Sequence, residues 1–232
     1  RTFEATLLQV DEARVATGKE FGADGQPKPG TLVLDQALAT GLAEGLLDSR
    51  FEVRSVEEKP YKRSPYPPFR TSTLQQEAAR KLRFSSSRTM SVAQRLYENG
   101  YITYMRTDST SLADSAVASA RAQITKLYGQ EYLSPKPRTF ASKVKGAQEA
   151  HEAVRPAGDD QFQTPEQVAT LVGPDEGRLY DLIWKRTIAS QMADAVGFTV
   201  SARLGAQATD GRDAVFSTSG RTITFPGFLR VY

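Results

Sequence analysis

A change of hydrophobic period along the chain limits its possible folds more than any other feature. Residues 2–10, Thr-Phe-Glu-Ala-Thr-Leu-Leu-Gln-Val, alternate loosely and are rich in strand formers. Residues 197–204, 214–217 and 222–225 also read as short strands, the last two joined around Ser219-Gly220. Between these ends, past a linker Pro60-Tyr61-Lys62-Arg63-Ser64-Pro65-Tyr66-Pro67-Pro68 that cannot sit inside a helix, the spacing turns helical. Leu74, Ala78 and Leu82 predict a helix over 72–82. Met90, Ala93, Leu96 and Tyr97 predict the apolar face of a second helix over 89–99, with Ser91, Gln94, Arg95 and Glu98 on its polar face and Gly100 at its end. A short strand is expected over 101–105. Further helices are expected over 112–127, capped by Ser109 or Thr110 and closed by Gly129, and over 174–192. Two helices, a turn and a strand form a helix-turn-helix or winged-helix pattern. The fold expected is therefore α+β, with a mainly helical, winged-helix-like domain (64–193) inserted into a β-rich domain built from residues 1–63 and 194–232.

Composition removes several kinds of chemistry. The 232 residues include no Cys and one His, so a disulfide framework, a thiol nucleophile, a cysteine zinc site and a two-histidine metal motif are all excluded. No apolar run approaches the roughly 20 residues a membrane helix needs, and the opening Arg-Thr-Phe-Glu is not a signal peptide. A soluble, cytoplasmic protein is expected. The chain also opens without Met, inside a strand-like pattern, as a piece of a longer protein would. No phosphate loop, dinucleotide fingerprint or compact acidic trio for Mg²⁺ is found, so neither ATP-driven activity nor a resident metal is expected of this segment.

Charge is concentrated locally. From Arg54 to Arg106 eleven basic residues face four acidic ones, a net +7 within a chain of net +3, which leaves the remainder at −4. A basic stretch in a nearly neutral chain suits a phosphate backbone, whose condensed counterions are released on binding.

The densest polar cluster, Thr103-Tyr104-Met105-Arg106-Thr107-Asp108-Ser109, lies at the end of the expected strand. In an extended segment Tyr104 and Arg106 point to one side, so a phenol and a guanidinium can converge on one anion. Arg holds phosphate through parallel N–H bonds, and a tyrosine oxygen can attack phosphorus once its proton is removed. The same residues could equally be structural, with Tyr104 half-buried, Arg106 paired with Asp108, and Thr107 or Ser109 capping a helix. His151, the single histidine, could donate to a phosphate oxygen, and Arg155 would share its face if that segment were helical, although Pro156 argues against a helix there.

The run Tyr97-Glu98-Asn99-Gly100-Tyr101-Ile102-Thr103-Tyr104-Met105-Arg106-Thr107-Asp108-Ser109 closely resembles the active-site tyrosine motif of type IA DNA topoisomerases. Thr71-Ser72-Thr73-Leu74-Gln75-Gln76-Glu77-Ala78 together with Met90–Leu96, and Gln148-Glu149-Ala150-His151-Glu152-Ala153-Val154-Arg155-Pro156, agree in order and spacing. Met105 after the tyrosine, where the topoisomerase III branch typically has Pro, resembles bacterial topoisomerase I. The similarity is strong over residues 71–156 and weaker elsewhere.

The resemblance implies roles residue by residue. Tyr104 would attack a single-stranded DNA phosphodiester and become linked to the 5′ phosphate, with Arg106 binding that phosphate. His151, Gln94, Arg95 and Arg155 would lie along the DNA, and Thr103, Thr107 and Asp108 would support the site. No cofactor is expected in this chain itself; Mg²⁺ is expected of the whole enzyme through an acidic domain absent here. The expected partners are a single-stranded segment of negatively supercoiled DNA and the remaining domains of the same enzyme. No membrane is expected, and the protein should be a monomer associated with the nucleoid. The alternative reading is a non-catalytic single-stranded nucleic-acid-binding winged-helix module, with Tyr104 stacking on a base; a third reading is an interaction domain whose basic stretch meets an acidic protein.

Overall fold

The computed structural model describes residues 2–140 and 152–232. The chain divides into two compact units, Arg1–Tyr61 with Gly197–Thr224, and Lys62–Val196 with Phe225–Tyr232. The overall class is mixed α/β.

The first unit is built on a sheet of order β3-β2-β1-β6-β5-β4, from β1 (Thr6–Val10), β2 (Ala13–Val15), β3 (Thr31–Leu32), β4 (Glu52–Arg63), β5 (Ala195–Gln207) and β6 (Asp213–Phe225). β1 pairs antiparallel with both β2 and β6, with a bulge between Leu7 and Gln9 on the β6 side, and β2 pairs parallel with β3. One helix, α1 (Gln36–Leu46), covers this sheet. Asp35 caps it by accepting from the Leu38 N–H at 2.7 Å. Leu42 and Leu46 bury with Val10, Ala206, Ala208 and Ala214, and Gly45 permits the close approach because a Cβ there would lie 3.1 Å from that of Ala208. The small strand residues leave room for the helix. Across β5 the Arg54 guanidinium reaches Asp213, lying over Gly205, where any side chain would displace it.

One element of this unit is unforeseen and two expectations fail, each for an identifiable reason. α1 does not show in the sequence pattern, because Gly41 and Gly45 interrupt its apolar spacing. The expected linker at Pro60 is instead part of β4, which lies at the sheet edge, where a residue without an N–H is tolerated. No turn forms at Ser219-Gly220: β6 runs on for 13 residues beside the equally long β5, whose backbone keeps it extended.

The second unit packs α2 (Thr71–Leu82), α3 (Ser86–Glu98), α4 (Asp114–Tyr128) and α5 (Pro165–Ala169) around α6 (Pro174–Ser190). Between Leu179 and Ser190, α6 is buried almost all round, as the central helix of a bundle must be. Two of its buried polar groups find partners, the Trp184 indole donating to Gln123 Oε1 at 3.2 Å and the Tyr180 hydroxyl to the Gln163 carbonyl at 2.7 Å, whereas Arg186 Nε is buried with no hydrogen-bond partner among the described residues. Burial pushes the Tyr180 phenol up, so it stays a donor. The Arg186 guanidinium lies 4.2 Å from the Phe69 ring centroid and 3.4 Å from Glu77.

The tail 225–232, expected with the β part, instead places Phe228 and Val231 in the helical core. α3 begins at Ser86, capped by Ser85, three residues before the expected start. α4 begins at Asp114, and neither Ser109 nor Thr110 caps it. Ser109 Oγ accepts from the Ser111 N–H, the Thr110 hydroxyl donates to the Phe140 carbonyl, and the Ala113 N–H at the helix entry is taken up by the Glu152 carboxylate at 2.6 Å.

Candidate active site

The site starts where α3 stops. The Gly100 N–H donates to the Tyr97 carbonyl and the Tyr101 N–H to the Leu96 carbonyl, with Gly100 at φ +74°, the paired bonds of a Schellman motif. This ending turns the chain straight into Tyr101–Ser109. Tyr97, expected on the apolar face, is exposed; Val92 and Thr89 bury in its place, and its ring meets that of Tyr104 edge to face at 5.3 Å.

No strand forms over 101–105. Ile102 makes one antiparallel bridge to Pro156, and Phe69 makes another to Val154, so residues 153–156 run between two short partners. The ladder ends at Thr103 because hydroxyls take over from backbone pairing. Thr103 Oγ1 donates to the Ala153 carbonyl at 2.8 Å and accepts from the Arg155 N–H at 3.0 Å, while its own N–H donates to the Arg155 carbonyl. Two residues on, Thr71 at the start of α2 bonds Met105 and Thr107. The Thr107 hydroxyl then accepts from the Ser109 N–H at 3.0 Å.

Burial alternates even without a strand. Met105 and Thr107 point into the protein, whereas Tyr104, Arg106 and Asp108 are exposed, Tyr104 at 44%. Among the described residues neither the Tyr104 hydroxyl nor the Arg106 guanidinium has a hydrogen-bond or ion-pair partner, and Arg106 does not pair with Asp108. A phenol and a guanidinium, two residues apart, thus face solvent from a segment whose other side is fixed. That combination can receive a phosphodiester.

The other expected contacts lie differently. Gln94 is half-buried and donates to Glu98 at 2.7 Å, and Arg95 pairs with Glu176 at the first turn of α6. Arg155, expected along the DNA and on a helical face, is on no helix and is only 5% exposed. Its five N–H groups find five bonds: Glu152 Oε2 twice, Asp159, and the carbonyls of Pro156 and Gly158. Such a guanidinium braces the 152–159 segment behind Thr103 and has no donor left for a ligand. His151 lies outside the described residues. Among the described residues, no three His, Cys, Asp or Glu side chains could hold a metal ion together, and no helix is long and apolar enough to cross a membrane.

Two residues of this site were not evident from the sequence alone. Thr71 lay just outside the helix expected over 72–82 and, like Glu152, stood in a matching segment with no role of its own.

The family described as DNA topoisomerase matches residues 12–232 of the chain. The chain belongs to that family. Its similarity is to bacterial topoisomerase I, the type IA branch: it is 63% identical to DNA topoisomerase 1 of Mycolicibacterium smegmatis over 232 residues, covering 99% of this chain and 25% of that protein. Identity to DNA topoisomerase 1 of Streptomyces coelicolor is 62%, over 98% of this chain and 24% of that one, and to the Synechococcus elongatus protein 51%, over 99% and 26%. The solved structure of full-length topoisomerase I from Thermotoga maritima superposes with a TM-score of 0.69 at 32% identity, covering 98% of this chain and 36% of that one. The topoisomerase segment described here therefore spans about a quarter of the length of its curated relatives.

Proposed function

We propose that this chain is the central gate segment of a longer type IA topoisomerase that relaxes negatively supercoiled DNA without ATP. The observation that carries the reading is the exposed Tyr104–Arg106 pair on a segment whose opposite side is buried and tied down. The Tyr104 hydroxyl gives up its proton as its oxygen attacks phosphorus in a single strand, the P–O3′ bond breaks, and the 3′ oxygen leaves and takes up a proton. The 5′ phosphate is then linked to Tyr104. Arg106 holds the non-bridging oxygens and offsets the charge that builds up on them. One phosphoester is exchanged for another, so the reverse attack by the 3′ hydroxyl reseals the strand after passage with no energy input.

Gln94 and Arg95 on α3 are assigned to the approaching strand, with Arg95 exchanging Glu176 for phosphate. His151 is assigned to the same phosphate environment. Asp108 flanks Arg106, and Thr103 and Thr107 hold the backbone; Arg155 is reassigned from DNA contact to bracing. Mg²⁺ would be supplied by acidic residues outside this chain and would add positive charge at the cleaved phosphate. The chain passes from the first unit to the second near residue 61 and returns near 196, and we read the helical unit, with its α2–α3 pair, as a winged-helix-like insertion that a β hinge swings. A monomer acting on nucleoid DNA suffices for this cycle.

The test incubates this chain and its Tyr104→Phe variant with an end-labelled single-stranded oligonucleotide, with and without the remaining domains of the enzyme. Expected is salt-dependent binding by both proteins, and a denaturant-resistant adduct only with Tyr104 and the other domains present. Binding with no adduct under any condition would leave a binding module in place of an enzyme.

A further inference from the structure

Thr71 stands at the first position of α2, a helix anchored in the core through Leu74 and Ala78. Its hydroxyl makes three contacts, all in the catalytic segment: it lies 2.8 Å from the Met105 carbonyl, 3.1 Å from the Thr107 carbonyl and 2.8 Å from the Thr107 nitrogen, whose N–H it accepts. Its own N–H donates to the Thr107 carbonyl at 2.9 Å. The Met105 carbonyl and the Thr107 N–H belong to the two peptide groups on either side of the Arg106 Cα. Peptide groups are planar, so tethering both to one hydroxyl narrows the range of φ and ψ open to Arg106 and with it the direction of its Cα–Cβ bond.

We propose that Thr71 is the positioning residue for Arg106: one hydroxyl, rigidly held by a helix start, aims the phosphate-binding guanidinium beside Tyr104. Arg106 needs such a device because its side chain is exposed and has no partner among the described residues. A long exposed arginine on a mobile backbone would sample many directions, whereas on a fixed Cα it has only its rotamers to lose when phosphate binds. Backbone pairing does only part of this job, because the ladder ends at Thr103 and the backbone bond from Thr71 reaches the Thr107 carbonyl, leaving the Met105 carbonyl and the Thr107 N–H to the hydroxyl. Met105 and Thr107 are buried, so water cannot easily replace the lost hydroxyl.

This inference rests on the function proposed above, and its test keeps the two separable. In the parent enzyme, Thr71→Val removes the hydroxyl at nearly constant volume, and Thr71→Ser retains it. Single-turnover adduct formation on a single-stranded oligonucleotide is expected to fall about 10- to 100-fold in Thr71→Val, mainly in the maximal rate, with Thr71→Ser within a few-fold of the unsubstituted enzyme. Amide exchange at Thr107 should accelerate in Thr71→Val alone. Equal rates in all three proteins, or Thr71→Ser as slow as Thr71→Val, would overturn the positioning role. Absence of adduct in the unsubstituted enzyme, with the Thr107 amide still protected there and exposed in Thr71→Val, would instead overturn the transesterification reading and leave the hydroxyl as a backbone clamp only. Should Thr71→Val fail to fold, Thr71→Ala with the same two readouts replaces it.

Discussion

The rings of Tyr97 and Tyr104 meet edge to face, their centroids 5.3 Å apart at an interplanar angle of 67°. Tyr104 is 44% exposed, and this contact restricts where its phenol can point. An aromatic pair of this geometry contributes about 0.5–1.5 kcal/mol beyond its buried area. Tyr97→Ala should therefore slow adduct formation by the parent enzyme about 2- to 10-fold, while Tyr97→Phe, which keeps the ring, should be close to neutral. The check is the rate of covalent linkage at saturating oligonucleotide.

Two arginines of the motif should respond in opposite ways. Arg106 is exposed and without partners among the described residues, so Arg106→Ala should leave the melting temperature within about 1 °C and weaken DNA binding. It should also reduce the slope of log affinity against log salt by about 0.7, the value for one single-strand phosphate contact. Arg155 is buried with all five donors used, so Arg155→Ala removes the cation paired with the Glu152 carboxylate and leaves it only the Ala113 N–H. The expected cost is about 3 kcal/mol, near the low end for breaking a buried pair because Glu152 retains some access to water. Thermal unfolding and a salt titration on both variants separate the roles. A lost salt-slope unit in a fully stable Arg155→Ala protein would return that residue to the DNA.

Why the site was partly legible follows from the kinds of signal involved. α2, α3 and α6 have a clear helical period, and Gly100 and Gly129 end their helices where expected. That Tyr104 and Arg106 share one side followed from alternation in a segment expected to be a strand, and the alternation survives although the strand does not; that this side faces solvent did not follow from the sequence. What replaces the strand is tertiary: hydroxyls of Thr71 and Thr103 bonding residues 34 and 50 positions away. No local pattern encodes that. Arg155 was misread for a related reason, since a guanidinium that braces a loop and one that grips phosphate look identical in sequence, and only burial tells them apart.

Acid should weaken the second unit through Asp194. Burial pushes this carboxyl up, but the Ser64 hydroxyl, the Lys62 ammonium and the Arg138 guanidinium together outweigh burial and hold it below the ordinary carboxylate value. Lys62 Nζ is 3.1 Å away and Arg138 Nη2 2.6 Å. A carboxyl whose value is lower in the folded state adds stability above its unfolded value, near 4, and that stability disappears as pH falls through the folded value. Asp194→Asn should therefore be less stable than the unsubstituted protein at pH 7 by about 1–3 kcal/mol, and the difference should shrink below about pH 4. Denaturant unfolding of both proteins at pH 7 and pH 3 measures it; an equal gap at both values would mean the carboxylate charge contributes nothing.

The tail 225–232 is held in the helical core by a glycine. Gly227 has φ +50°, and a Cβ there would lie 2.2 Å from the Asp194 carbonyl oxygen and 2.5 Å from that of Ala193. The next residue, Phe228, donates its N–H to the same Ala193 carbonyl at 2.9 Å and buries its ring. Gly227→Ala thus adds the left-handed penalty of about 1–2 kcal/mol to a backbone clash that only movement of the tail can relieve. Such movement would draw Phe228 and Val231 from the core, where they belong to the cluster around α6. Each loses roughly 1.5–3 kcal/mol of burial if fully exposed. The expected result is a fall in melting temperature of about 5–15 °C, with faster amide exchange at Phe228 ahead of global unfolding. A variant that melts normally with Phe228 still protected would show that Ala193–Asp194, just ahead of β5, yield in place of the tail.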